Sequence, residues 1–406
     1  MDLSELLRES LRTLKAHALR SFLTLLGVII GVATLVGVMA VIAGLNAFVR
    51  DKVFALAPDV VIISKFGIIR SREEWIEAVK RRSFDWRDYQ HLRSLLKNAE
   101  QVGASVRTGR TVKFRDHRLE GADVHGTTAN FGRILDMDLA AGRFFIDGEE
   151  QAAQHVAVIG WDVKDELFPQ LDPLGRTILV GGSPFTVVGV FAKQGNSFGQ
   201  SRDSQLYVPI EAFRRTFGNR DSLDLFIQAR GGVLGIDAAT DEARSVVRAL
   251  RHTAFRAPDP FGIVTSESLQ NLWGQISAAA FILSLLIASV SLGVGGIVIM
   301  NIMLVAVVER TPEIGLRRAL GARKRDIRRQ FLLEAALLSV AGGLIGVLLG
   351  ALGALLVNGV LHFPAQPTLT IVLLGLGLSG VVGIAAGYWP ARSASNLLVV
   401  DALRSD

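Results

Sequence analysis

The stretch Glu309-Arg-Thr-Pro-Glu-Ile-Gly-Leu-Arg-Arg-Ala-Leu-Gly-Ala-Arg-Lys-Arg-Asp-Ile-Arg-Arg329 decides how the rest of this chain is read. It is short and strongly basic, and apolar runs flank it from about Trp273 to Val308 and from Phe331 to Val357. A bilayer is crossed by roughly 20 apolar residues, so each run is long enough to span one. Basic residues gather on the cytoplasmic side of spans, so 309–330 reads as a cytoplasmic loop. Its first residues also carry a helix start, with Thr311 as N-cap, Pro312 at the first helical position and Glu313 where the helix dipole favours an acid. Ile314, Leu316, Ala319 and Leu320, with Gly315, Arg317 and Arg318 among them, give a short apolar element that ends near Gly321, ahead of a second, basic helix. The charge alone fits a topology-setting loop resting on anionic lipid head groups. The helix start favours a docking element that meets a soluble partner.

The 406 residues are 50% hydrophobic and 20% charged, with a mean hydropathy of +0.38. That is too apolar for a soluble protein and too charged for a wholly embedded one, which implies several spans plus a sizeable water-soluble domain. The net charge of +6 does not indicate nucleic acid. The basic residues crowd into the N-terminus and the central loop beside apolar spans, as membrane orientation requires. There is no cysteine, so disulfides and thiol chemistry are excluded. The seven histidines are scattered without metal-ligand spacing, and no metal site is expected.

Working outward, Leu3, Leu6, Leu7, Leu11, Leu14 and Ala18 recur at three- and four-residue steps with Arg8, Arg12 and Lys15 between them. This pattern predicts an amphipathic helix over 1–20 lying in the cytoplasmic membrane interface. A first span follows over 21–48, in which Gly27 and Gly31 form a small-xxx-small pair suited to close helix packing or a dimer contact. Residues 49–272 have the composition of a soluble domain. Short β-type runs occur at Val60–Ile63, Val102–Val106, Val156–Ile159, Phe185–Val190 and Leu206–Val208, and helical patterns at Trp75–Lys80, Trp86–Leu96 and Asp237–Leu250. The reading is α+β. The second span covers 273–308 and contains Asn301, a polar side chain that seeks a partner across helices. Gly342, Gly346 and Gly350 line one face of the third span, 331–357. An uncharged connector with Pro364 and Pro367 leads to the fourth span, 369–389, and a tail over 390–406. Four spans put both termini and the basic loop in the cytoplasm and the large domain outside.

No Gly-x-x-x-x-Gly-Lys-Ser/Thr phosphate loop occurs, so a Walker-A mode of ATP binding is not available to these residues. No Ser, His and Asp residues show the local context of an activated nucleophile, and no catalytic residue is assigned. Glu309 and Glu334 lie near membrane boundaries, and no chain of buried acids suggests a proton or sodium relay. Energy for any work is then expected from a partner.

The run from Glu309 to Arg323, continuing to Phe331-Leu-Leu-Glu-Ala335, resembles the signature of MacB-type ABC transporter permeases. This is the mechanotransmission class that includes FtsX and the lipoprotein-releasing LolC/LolE proteins. Further likeness is carried by Ala18-Leu-Arg-Ser-Phe-Leu-Thr-Leu-Leu-Gly-Val-Ile-Ile-Gly31, Asp172-Pro-Leu-Gly-Arg-Thr-Ile178 and Pro184-Phe-Thr-Val-Val-Gly-Val190. Tyr388-Trp-Pro-Ala-Arg-Ser-Ala394 and Ala402-Leu-Arg404 match the family's end. The resemblance implies four transmembrane helices and a large α+β periplasmic domain of two lobes on a helical stalk, with a lobe at about 80–145 inserted in the other. It implies an inner-membrane permease, usually a homodimer, that works with an ABC ATPase subunit binding ATP and Mg. The chain itself would hold no cofactor. A MacB-like system also admits a periplasmic adaptor and an outer-membrane channel. Thr311 to Arg318 would be the coupling helix. MacB carries a fused ATPase ahead of the first span, so here the ATPase is expected on a separate chain. Export of a substrate is the leading expectation, with lipoprotein release or FtsX-like control of a cell-wall hydrolase as the alternatives.

Overall fold

The computed structural model describes residues 18–49, 58–197, 200–201, 203–218, 221–361 and 365–397. It divides into two compact units, one of residues 1–51 with 273–406 and one of residues 52–272. Most of the expected amphipathic helix 1–20, and the end of the tail, lie outside the described residues. Helix α1 (Ala18–Phe48) opens the first unit.

The second unit is a mixed α+β domain. Its earlier strands are β1 (Val60–Ser64), β2 (Ala99–Phe114), β3 (His117–Thr127), β4 (Leu139–Gly142), β5 (Val156–Ile159) and β6 (Thr177–Val180). They are followed by β7 (Ser183–Phe191), β8 (Asn196–Ser197), β9 (Gln200–Ser201), β10 (Gln205–Pro209), β11 (Asp224–Ala229) and β12 (Gly262–Thr265). Between them run α2 (Arg72–Lys80), α3 (Trp86–Leu95), α4 (Phe131–Ile134), α5 (Asp147–Gln151), α6 (Trp161–Leu167), α7 (Ile210–Phe217) and α8 (Ile236–Leu250). Helix α3 starts at a reciprocal cap, in which the Asp88 N–H donates to Asp85 Oδ1 (2.9 Å) and the Asp85 N–H to Asp88 Oδ2 (3.2 Å).

One sheet runs in the order β12-β1-β11-β2-β3-β10-β5-β7-β4, with β6 bridging β2 and β7, and β8-β9 form a separate pair. The first and last strands of the domain pair antiparallel, with Val61 opposite Thr265. Strand β10 lies parallel to β3, and β5 parallel to β7. Alternation along β10 shows the two faces. Leu206 and Val208 join the main core with Phe168, Phe185 and Phe213, whereas Tyr207 joins a smaller aromatic cluster with Phe131, Phe145 and Phe191. Residues 80–145, expected as an inserted lobe, supply strands across the width of this sheet. The reason is the 16-residue β2, whose first half pairs with β11 and whose second half meets β6, while β4 lies at the far edge.

The helical unit continues with α9 (Ser266–Glu309), α10 (Thr311–Ala319), α11 (Lys324–Leu361) and α12 (Leu369–Asn396). Among the described residues, α1, α9, α11 and α12 are the four helices long and apolar enough to cross a membrane. The basic helix expected after Gly321 is the first turns of α11, wound continuously into the third span. The fourth span, expected to end before Pro390, continues as helix to Asn396. Proline removes one backbone donor, but Pro390, Ala391 and Ala394 are buried, and this packing holds the helix through the gap.

Small residues set the packing of this bundle. A methyl group placed on Gly27 would lie 2.8 Å from the Gly295 Cα, and one on Gly31 3.0 Å from the Leu292 side chain. On α11, a methyl at Gly346 would meet the Ile29 carbonyl at 2.8 Å, and one at Gly342 the Leu25 side chain at 3.1 Å. Helix α1 therefore lies against α9 and α11 at distances that larger side chains forbid. Polar atoms pair within the bundle too: Asn46 Oδ1 accepts from Trp273 Nε1 (2.6 Å) and Ser277 Oγ (2.8 Å), and the buried Ser339 donates to the Ser379 carbonyl.

Candidate functional site

Helix α10 is held between the ends of three longer helices, and each tie has a chemical cause. Thr311 is the first helical residue rather than the expected cap: Arg310 holds the cap position, and the Thr311 hydroxyl donates to the Val307 carbonyl (2.9 Å) at the end of α9. The side chain that looked like a starter for α10 thus closes the helix before it. Pro312 follows where its missing N–H would have found no partner in any case.

Ile314 is 3% exposed and joins Ile327, Phe331 and Met303 in the bundle core, with Gly315 buried beside it. Arg317 donates to Glu313 (2.6 Å) one turn back and to Gln330 (2.9 Å) on α11. Arg318 donates to the carbonyls of Ser395 and Leu397 at the end of α12. Arg310 pairs with Glu334 of α11 at 3.2 Å, both side chains being mostly shielded from solvent. The exit from α10 is closed by two reversed bonds, from the Ala322 N–H to the Arg317 carbonyl and from the Gly321 N–H to the Arg318 carbonyl. Gly321 sits at φ +99°, a conformation that only glycine adopts cheaply.

Pro312, Glu313, Leu316, Ala319 and Leu320 remain outward, with Leu316 54% and Leu320 80% exposed. The eight residues singled out from the sequence, Thr311 to Arg318, therefore divide by role. Thr311 closes α9, Ile314, Gly315, Arg317 and Arg318 seat the helix, and Pro312, Glu313 and Leu316 face outward. Leu320 belongs to the same exposed ridge, two residues past Arg318 and within the apolar element read from the sequence. Its spacing of four from Leu316 puts the two on one side of the helix.

The sheet domain carries two further features. Adjoining cavities of about 280 and 450 Å³ share Arg133 and Asp147; the first is lined by Tyr89, Arg93 and Glu150, the second by Met137, Phe144 and Ile146. Burial pushes the Glu150 carboxyl up, and its Oε2 accepts from the Ala129 N–H at 2.6 Å. On the sheet face, Arg107, His125 and Tyr207 stand side by side in register, with the His125 ring stacked 4.8 Å from Tyr207. Burial holds the His125 pKa at about 4 and raises that of nearby Asp224 to about 6. Among the described residues, no three His, Asp or Glu side chains converge as a metal site.

Two family profiles match this chain: the MacB-like periplasmic core domain over residues 21–246 and the FtsX-like permease C-terminal region over 279–397. The chain belongs to the MacB/FtsX-like ABC permease family. The second profile contains α10 entirely. The macrolide export ATP-binding/permease protein MacB of Bdellovibrio bacteriovorus is 34% identical to this permease over 99% of its length. The permease spans 62% of that MacB. The uncharacterised ABC transporter permease YknZ of Bacillus subtilis is 32% identical and is covered over its full length, as is this chain. Among solved structures, the periplasmic region of MacB from Actinobacillus actinomycetemcomitans aligns with 55% of this chain and 94% of its own, at 16% identity and a TM-score of 0.45.

Proposed function

We propose that this permease transmits the energy of cytoplasmic ATP hydrolysis to its extracytoplasmic domain, and that α10 is where the ATP-hydrolysing unit presses. In this reading the four long helices cross the inner membrane with both termini and α10 in the cytoplasm. Two permease copies engage a pair of ABC ATPase units, which bind ATP and Mg. The outer domains then do mechanical work that drives export, with an adaptor and an outer-membrane channel as further partners. No step of hydrolysis falls on the permease itself.

The observation that supports this reading is the exposed ridge Leu316–Leu320 on a helix whose other side is fixed by Ile314, Arg317 and Arg318. A docking surface must yield to its partner while passing force to what lies behind it. Helix α10 has an apolar outer edge for contact and ties to α9, α11 and α12 for transmission. The experiment is co-purification of the full chain with its ABC ATPase in mild detergent. Leu316→Asp with Leu320→Asp should abolish the complex and the permease-dependent change in ATP hydrolysis, while thermal unfolding of the permease stays the same. An intact complex with unchanged hydrolysis would refute the assignment of α10.

A further inference from the structure

Helix α10 reaches one face of α11 by two rungs. The cap residue Arg310 pairs with Glu334 at 3.2 Å, and Arg317 donates to Gln330 at 2.9 Å. Gln330 and Glu334 stand one turn apart on α11, and Ile314, midway between the arginines in sequence, joins Ile327 and Phe331 in the core. The rungs are unequal. Gln330 is neutral, whereas Arg310 and Glu334 carry opposite charges on side chains only 27% and 12% exposed. Arg310 Nη1 reaches both carboxylate oxygens, at 3.3 and 3.2 Å. Glu334 is also the last ionisable residue of α11, for none occurs from Ala335 to Leu361. A shielded ion pair adds little stability that a well-packed apolar pair would not supply. What it adds is a tie of fixed length and direction, where an apolar contact can slide.

Further along α11 lies a second close contact. A methyl on Gly346 would meet the Ile29 carbonyl of α1 at 2.8 Å, and one on Gly350 the Ala33 carbonyl at 2.7 Å. Helix α1 is the one from which the chain runs on into the sheet domain. We infer that the Arg310–Glu334 pair is the joint that hands a displacement of α10 to α11, and so to α1. Force then leaves α10 through the third span as well as along α9. Both are positioning residues, acting through the helices they join. This inference rests on the docking of an ATPase on α10 and adds the route beyond it.

The test co-purifies the full chain with its ABC ATPase and reads the permease-dependent change in ATP hydrolysis per intact complex. Arg310→Met with Glu334→Leu should melt no lower than the parent and bind the ATPase equally well. It should nevertheless shrink the hydrolysis change about ten-fold. Gln330→Leu should shrink it by less than about two-fold. In this cysteine-free chain, Arg310→Cys with Glu334→Cys should be equally silent, and bridging the two thiols with a short bifunctional reagent should restore the response. A response kept by the apolar pair, an equal loss in Gln330→Leu, or a bridged pair that stays silent overturns the joint and leaves docking on α10 standing. Loss of the complex in the apolar pair also overturns it, since the pair would then serve docking and not transmission. Failure of the docking reading shows separately, as an intact complex in Leu316→Asp with Leu320→Asp.

Discussion

Gly295 in α9 and Phe185 in β7 are both buried, for opposite reasons. Gly295 is buried because α1 has come so close that a methyl group there would sit 2.9 Å from the Val28 backbone nitrogen. Phe185 is fully buried because its ring fills space between His155 and Phe217 at the centre of the sheet domain. In water, large apolar side chains drive the core together. Between helices in lipid, moving a side chain from solvent to core gains little, and close backbone approach supplies the cohesion instead. One unit therefore fails when bulk is removed, the other when bulk is added.

That contrast can be broken by substitution. Phe185→Ala should destabilise the sheet domain by about 3–5 kcal/mol, read as an early unfolding transition of the full chain. Gly295→Leu should cost the bundle about 3 kcal/mol and lower the yield of intact permease in detergent. A variant that melts normally would mean that α1 and α9 can part without loss. The next effect is one of pH. The His125 contribution is present above its ordinary value of 6.5 and is lost as pH falls toward about 4. That of Asp224 has the reverse sign, present below 3.8 and lost as pH rises through about 6. The two oppose each other across mildly acid pH, so the domain should melt almost independently of pH there. His125→Gln should expose the Asp224 slope, with the variant gaining on the order of 2 kcal/mol relative to the parent between pH 7 and pH 5. The smallest effect is expected at Gly353, which has open space around it: Gly353→Ala should leave the bundle unchanged or slightly firmer.

The spans were legible because a run of apolar residues that long has few other uses, and α10 because Pro312 and Glu313 mark a helix start. What stayed hidden was everything that depends on a distant partner. Thr311 was misplaced by one position because its hydroxyl bonds backward to Val307, a choice local spacing does not reveal. Arg317 and Arg318 were read only as part of the docking helix, and only the fold brings Gln330 and the end of α12 within their reach. Strand β3 was missed because its inward positions are small, such as Ala122 and Gly126, while its outward ones are charged. The parallel pairing of β10 with β3 joins residues some eighty positions apart and leaves no local trace.

The tie between Arg318 and the last turn of α12 has a consequence for biogenesis. The carbonyls of Ser395 and Leu397 come into place only after the fourth span has been made, inserted and wound past Pro390. Until then α10 lacks the anchor at its C-terminal end, although its own residues left the ribosome some eighty positions earlier. A permease whose synthesis stalls, or whose fourth span fails to insert, therefore presents a loosely held α10. A later-made part of the protein proofreads an earlier one.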